Sequence, residues 1–348
     1  MTLKDVAKRA NCSEATVSLV INNRPGVNKQ TRERVLRIAK DLGYVPNSIA
    51  RSLALKKTST LGLLITDIEN PFFGSLVHHI SIAARNKGYA LIVSTSDDDF
   101  EKENEALGVF LHRKVDGVIV VPTQRIPEDF SVFNIYRKNN VPLVFSVSYY
   151  PPFECDRVLT DYAKGSYLLT KYLLDLGQRE IMYLIGADER SPINKGRISG
   201  YLEAYREAQI IPNPEDIVKC SQPVFFEGYR TTSNILRERN LPDAIIAIND
   251  VLALGAKKAV EEMNYTVPLD ISIAGYDDVM YATLLEKPLT TVRQDIKEIA
   301  TRSVDLLLQR IKHPEKSPEQ ILIQPELIVR STTGVKKNPL PDAPIGIQ

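Results

Sequence analysis

Apolar residues recur every three or four positions along the first 42 residues, and that spacing predicts helices. Leu3, Val6, Ala7 and Ala10 line one face of a helix over 3–10. Asn11-Cys12 makes a turn, and Ser13 can cap a second helix whose Val17, Val20 and Ile21 face the first. Asn22 to Gly26 break that helix. Asn28 can cap a third helix over 29–42, with Val35, Ile38, Ala39 and Leu42 as its stripe and Gly43 at its end. The expected head is therefore an all-α helix-turn-helix bundle over 1–45. A short helix over 47–54, marginal alone in water, suits a hinge within 46–57.

Beyond residue 58 the period changes. Strand-like runs fall at 60–66, 90–95, 117–121, 143–147, 180–185, 244–248 and 271–274. Amphipathic stretches fall between them, at 74–87, 101–113, 164–176, 196–208, 228–238 and 251–263. Alternating strand and helix predicts parallel sheets with helices on both faces. The pattern restarts near Gln178, so the expected α/β core over 58–335 has two doubly wound subdomains. Residues 336–348 hold three prolines and no periodicity, which predicts a disordered tail.

Charge divides the chain the same way. Residues 1–57 carry 12 Lys/Arg and 4 Asp/Glu, a net of +8, against +1 for the whole chain, so the remainder carries −7. A basic head on a mildly acidic body predicts that the head alone meets an anionic polymer, with binding that weakens steeply in salt. No run of 18 apolar residues is present, and Lys4, Asp5, Lys8 and Arg9 interrupt the N-terminus. The expectation is a cytoplasmic protein without signal peptide or membrane span. Cys12, Cys155 and Cys220 are few and widely spaced, which suggests reduced thiols.

Ligands of open α/β sheets bind beyond the carboxyl ends of the strands. The residues there include Asp67 to Phe73, Pro122-Thr123, Ser146, Ala187 to Asn194, Asn249-Asp250 and Tyr276 to Asp278. Aromatic faces beside Asn, Asp and Arg suit a small polar metabolite. No Gly-x-Gly-x-x-Gly, P-loop, Cys-x-x-Cys, His-Glu-x-x-His or Gly-x-Ser-x-Gly motif accompanies them, so neither an enzyme nor a cofactor or metal is expected. The Asp97-Asp98-Asp99 run reads as a solvated turn. Tyr149-Tyr-Pro-Pro-Phe153 reads equally as a cleft rim or a packed loop.

Leu3-Lys-Asp-Val-Ala-Lys-Arg-Ala10, Ser13-x-x-Thr-Val-Ser18, Leu42-Gly-Tyr-x-Pro-Asn47 and Ala50-Arg-Ser-Leu53 together resemble the LacI/GalR family of bacterial repressors. Asp67-Ile-x-Asn-Pro-Phe-Phe73, Arg197-x-x-Gly-Tyr201, Asn249-Asp250 and Gly275-Tyr-Asp277 extend the resemblance over about 2–333. It implies a homodimer that binds double-stranded operator DNA and a small effector, sugar or phosphosugar favoured, in a cleft between two periplasmic-binding-protein-like subdomains. The crossings between subdomains would fall near 160, 290 and 322, giving 58–160 with 291–321 and 161–290 with 322–335.

The resemblance places Ala15, Thr16 and Leu19 against base edges, and Ser13, Asn22, Asn28, Thr31 and Tyr44 against phosphates. Leu53 would be the wedge that kinks DNA from the minor groove. Phe72, Phe73, Thr123, Ser146, Arg197, Asn249 and Asp277 would line the effector cleft, with Phe225 or Phe226 as a substitute for an aromatic wall near Gln222. A purine-sensing regulator, a regulator with a protein corepressor and a solute-binding receptor stay open as alternatives.

Overall fold

The computed structural model describes residues 1–44, 57–188 and 190–336. Leu53 with most of the anticipated hinge, Glu189, and the anticipated tail beyond 336 lie outside the described residues. The chain divides into two compact units, Met1–Ser59 and Thr60–Gln348.

The first unit holds α1 (Leu3–Ala10), α2 (Glu14–Ile21) and α3 (Lys29–Asp41). Each begins at a side chain that accepts an otherwise unpaired N–H. Ser13 Oγ takes that of Thr16 at 3.1 Å, and Asn28 Oδ1 takes that of Thr31 at 2.8 Å. Thr2 and Asp5 form a reciprocal capping box that the sequence reading missed, with Asp5 Oδ2 accepting the Thr2 N–H at 2.8 Å. Such a cap contributes about 1 kcal/mol. Asn11 adopts φ 48°, a left-handed turn that Asn tolerates. Val6, Ala7, Ala10, Val17, Val20, Val35 and Ala39 form the core. With so few and such small buried side chains, the caps supply a large share of the stability of this unit.

The second unit contains two six-stranded sheets. In the first the order is β11 (Gln320–Ile323), β5 (Asp156–Thr160), β4 (Leu143–Ser146), β3 (Gly117–Val120), β1 (Thr60–Ile65), β2 (Ala90–Thr95). In the second it is β12 (Glu326–Ile328), β10 (Thr290–Arg293), β9 (Ser272–Asp277), β8 (Ala244–Ala247), β6 (Ile181–Gly186), β7 (Ile217–Cys220). Every pairing is parallel except β10 with β12. The central strands are buried on both faces, which is why they read as apolar runs. In contrast β5, β7 and β10 carry Asp156, Lys219 and Thr290-Thr291, and the sequence pattern passes over them. In β10 both threonines are buried with bonded hydroxyls, Thr291 donating to Asp250 Oδ1 at 2.6 Å.

The chain passes between sheets after β5, after β10 and between β11 and β12. The three passages follow Thr160, Arg293 and Ile323, close to the expected crossings near 160, 290 and 322. After β10, the Ile296–Lys312 helix returns to the first sheet and buries Ile299, Ala300, Val304, Leu306 and Leu307. Gly117 makes this approach possible, since a Cβ there would lie 2.9 Å from Leu307 Cδ1.

Candidate functional site

In the head, Val17 and Val20 of α2 point into the core, which turns Ala15 outward and leaves Thr16 and Leu19 half-buried on the opposite side. Ser13 Oγ lies 2.9 Å from Thr16 Oγ1, so the cap also orients the Thr16 hydroxyl. Asn22 donates to the Ser18 carbonyl at 2.9 Å, Asn28 and Thr31 share the α3 cap, and Tyr44 packs at the edge of the core. Arg32 ties the segment after α2 to α3 by donating to Asn23 Oδ1 at 2.9 Å and to the Arg24 carbonyl. The structure thus collects an apolar, hydroxyl-bearing helix face with polar flanks.

In the second unit a cleft of about 270 Å3 lies at the carboxyl ends of strands from both sheets. Thr66 and Asp67 follow β1, Pro122 follows β3, and Val147 and Ser148 follow β4. Gln222 follows β7, Asn249 follows β8, Asp277 ends β9 and Gln294 follows β10. Helix N-termini complete the wall. Asn70 caps the Pro71–Asn86 helix by accepting the Phe72 N–H at 3.0 Å, and Asn249 caps the Asp250–Glu262 helix by accepting the Leu252 N–H at 2.7 Å.

The polar centre is Arg197 with Asp277. The Arg197 guanidinium carbon sits 4.8 Å from the Tyr162 ring centroid and 4.5 Å from that of Tyr276, held between two aromatic faces. It is 6% exposed, and its Nε has no hydrogen-bond partner. That Nε is sealed inside the slot, and Arg197 brings the one guanidinium among the described residues that line the cleft. Gln294 donates to Asp277 Oδ1 at 2.7 Å while accepting from Thr160 at 2.6 Å. Burial pushes Asp277 up to about 7, against the pull of Arg197 and the Gln294 bond.

That shift has a consequence for stability. In the unfolded chain Asp277 releases its proton near 3.8, so between there and about 7 the folded protein holds a proton the unfolded chain has lost. Stability attributable to this group falls as pH rises through that window. The melting temperature of the wild type is expected to decline more steeply than that of Asp277→Asn between about pH 5 and about pH 7. Parallel profiles in a calorimetric pH series would contradict the assignment.

Of the residues that the resemblance assigns to an effector, Phe72, Phe73, Arg197, Asn249 and Asp277 line this cleft. Ser146 and Thr123 do not. Ser146 is fully buried, and its Oγ lies 3.0 Å from Ser303 Oγ on the Ile296–Lys312 helix. Strand residues alternate faces, so the cleft side belongs to the next residue, Val147. Thr123 turns inward to Tyr150, 2.6 Å away, and its neighbours Pro122 and Gln124 line the cleft. Phe225 and Phe226 supply no wall either: Gln222, Pro223 and Val224 occupy that side, and Phe226 is 79% exposed.

Sequence reasoning missed Asp98, Gln124, Tyr162 and Gln294. Asp98 is half-buried rather than solvated and accepts the Gln124 N–H at 2.7 Å. Tyr162 and Gln294 follow β5 and β10, the strands whose polar residues hid them. Tyr150 and Phe153 of the aromatic run pack with Phe130, Phe133 and Phe145 while Pro151 and Pro152 are exposed, so that run is a packed surface loop.

A model of the lacI family of bacterial regulatory proteins matches residues 2–47, and a periplasmic binding protein-like domain model matches residues 170–333. The chain is 34% identical over 332 residues to the ribose operon repressor of Haemophilus influenzae, covering 95% of this chain and 98% of that one. It is 33% identical over 336 residues to the HTH-type transcriptional repressor PurR of Histophilus somni, again covering 95% and 98%. The lac repressor dimer bound to operator and the anti-inducer ONPF matches at a TM-score of 0.83 and 30% identity, with 96% of this chain and 99% of that one covered. The chain belongs to the lacI family of bacterial regulatory proteins.

Proposed function

We propose that this protein is a cytoplasmic transcriptional repressor, without catalytic activity of its own, that binds a palindromic operator as a homodimer and senses a small neutral sugar. The observation that carries this is one chain joining a +8 segment over 1–57, which holds the helix-turn-helix, to a two-sided cleft lined by Arg197 and Asp277. Ala15, Thr16 and Leu19 meet base edges, with Ser13, Asn22, Asn28, Thr31 and Tyr44 on phosphates. Leu53 is the minor-groove wedge.

Charge in the cleft argues for a neutral ligand over a phosphosugar. Asp67, Asp98 and Asp277 line it against the single guanidinium of Arg197, while Asp97 is paired with Lys102 at 2.7 Å. Helix N-termini at the cleft, among them those capped by Asn70 and Asn249, add partial positive charge, but among the described residues no lysine or second arginine lines it to pair with a phosphate. The volume of about 270 Å3 sits just under the ~300 Å3 at which drug-sized sites begin and suits a monosaccharide. Phe72 and Phe73, in edge contact at 5.2 Å, offer an aromatic surface to a sugar face and also to a purine, which is the competing reading.

Calorimetric titration with D-ribose, D-ribose 5-phosphate and hypoxanthine tests this. D-ribose is expected to bind and the other two are not. Tighter binding of hypoxanthine would replace the sugar reading, and failure of the protein to select any genomic DNA fragment would remove the repressor reading.

A further inference from the structure

Glu103, in the Phe100–His112 helix, is fully buried, yet its partners are a phenol and a backbone amide rather than a cation. Tyr150 Oη donates to Glu103 Oε1 at 2.9 Å, and the Thr123 N–H donates to Glu103 Oε2 at 3.1 Å. Thr123 Oγ1 lies 2.6 Å from Tyr150 Oη and donates to the Arg125 carbonyl at 3.1 Å. These bonds fasten the start of the segment 122–126, and the Gln124 N–H is held by Asp98.

That segment spans the cleft. Pro122 and Gln124 line it from the first subdomain. Gln124 Oε1 reaches the backbone of Gly186 in β6, where a Cβ would come within 2.5 Å, and the Ile126 N–H bonds Asp188 beyond β6. Asp188 is in turn held by Arg190 at 3.1 Å. A buried carboxylate without a cation is costly, and an apolar side chain of similar volume would fill the space without that cost. What only the carboxylate supplies is two acceptor oxygens at the root of a segment that touches the opposite subdomain.

We propose that Glu103 is a positioning residue of the cleft: without reaching the ligand, it fixes segment 122–126 in the form that closes on the second subdomain, and so sets effector affinity. The affinity part rests on the effector reading above. Burial pushes the Glu103 carboxyl up to about 7, opposed by its Tyr150 and Thr123 bonds and aided by Asp98. Asp98 is itself raised by burial and faces Arg125. Asp277 titrates in the same range, so pH effects are compared between variants.

The test uses the full chain and the variants Glu103→Leu, Glu103→Gln and Tyr150→Phe. Without ligand, amide hydrogen exchange at 123–126 is expected to quicken about tenfold in Glu103→Leu, with β3 unchanged, and Glu103→Gln, which keeps an acceptor, restores most of the protection. D-ribose affinity measured by calorimetry falls about tenfold in Glu103→Leu, and its change between about pH 6 and about pH 8 is smaller in Glu103→Gln than in the wild type. Wild-type exchange in Glu103→Leu overturns the proposal, as does faster exchange with unchanged D-ribose affinity. Should Glu103→Leu not fold, Tyr150→Phe carries the same comparison. A wild-type protein that ignores D-ribose refutes the sugar reading alone, while the exchange result still decides whether Glu103 positions the segment.

Discussion

Arg197→Ala is expected to raise the effector Kd roughly ten- to a hundredfold and to leave DNA binding by the head unchanged. The guanidinium lies between Tyr162 and Tyr276 at 4.8 and 4.5 Å, so its stem and plane are already ordered before a ligand arrives. Arg197 is the only guanidinium among the described residues that line the cleft, so alanine leaves no other donor of that kind there. A hydrogen bond between a charged donor and a neutral acceptor contributes about 1.5–3 kcal/mol, which is roughly ten- to a hundredfold in affinity. Arg197→Lys is expected to rescue little, because an ammonium cannot stack in a slot shaped for a planar group. Titration of both variants with the sugar that binds the wild type, beside a band shift on the selected DNA, checks the split. Wild-type sugar affinity in Arg197→Ala would remove Arg197 from the site.

Gly200→Ala is expected to destabilise the second unit more than most surface changes. Gly200 lies in the Pro192–Glu207 helix where it crosses the Tyr162–Asp175 helix. A Cβ there would sit 2.0 Å from the Ala163 carbonyl oxygen and 2.8 Å from the Tyr167 nitrogen. Both are backbone atoms, so relief requires the helices to part. Alanine is the better helix former by about 1 kcal/mol, but overpacking of this kind costs about 1–3 kcal/mol or more, so the clash wins. Net loss of about 2 kcal/mol lowers the melting temperature by roughly 4–8 °C in a unit of this size. The same helix carries Asn194 and Arg197, so ligand affinity is expected to fall with it. An unchanged or raised melting temperature in scanning calorimetry would refute the packing argument.

The head was legible because its signals are local: apolar spacing and the caps Ser13 and Asn28 lie within a few residues of what they control. The core was legible where strands are buried on both faces and obscure where polar residues are buried with partners far along the chain. Thr291 of β10 reads as exposed until Asp250, 41 residues away, is seen to receive its hydroxyl. Arg197, Asn249 and Asp277 stood out as charged or amide groups beside strand ends. Ser146 and Thr123 were displaced because a strand end is placed from sequence only to within a residue or two, and one residue reverses the face. The partners of Glu103 were hidden for the same reason as those of Thr291. Thr123 and Tyr150 lie 20 and 47 residues away from it.

The passage of the chain from sheet to sheet also sets an order of completion during synthesis. The head is finished once α3 and its flanking residues have emerged. The first sheet waits for β11 at Gln320–Ile323 and the second for β12 at Glu326–Ile328. At roughly 5–20 residues per second, the ribosome carries a finished head for tens of seconds before either sheet can close. Throughout that interval the nascent protein has a reader but no sensor. A chain cut between the head and its last strands would keep the helix-turn-helix and lose the closed cleft.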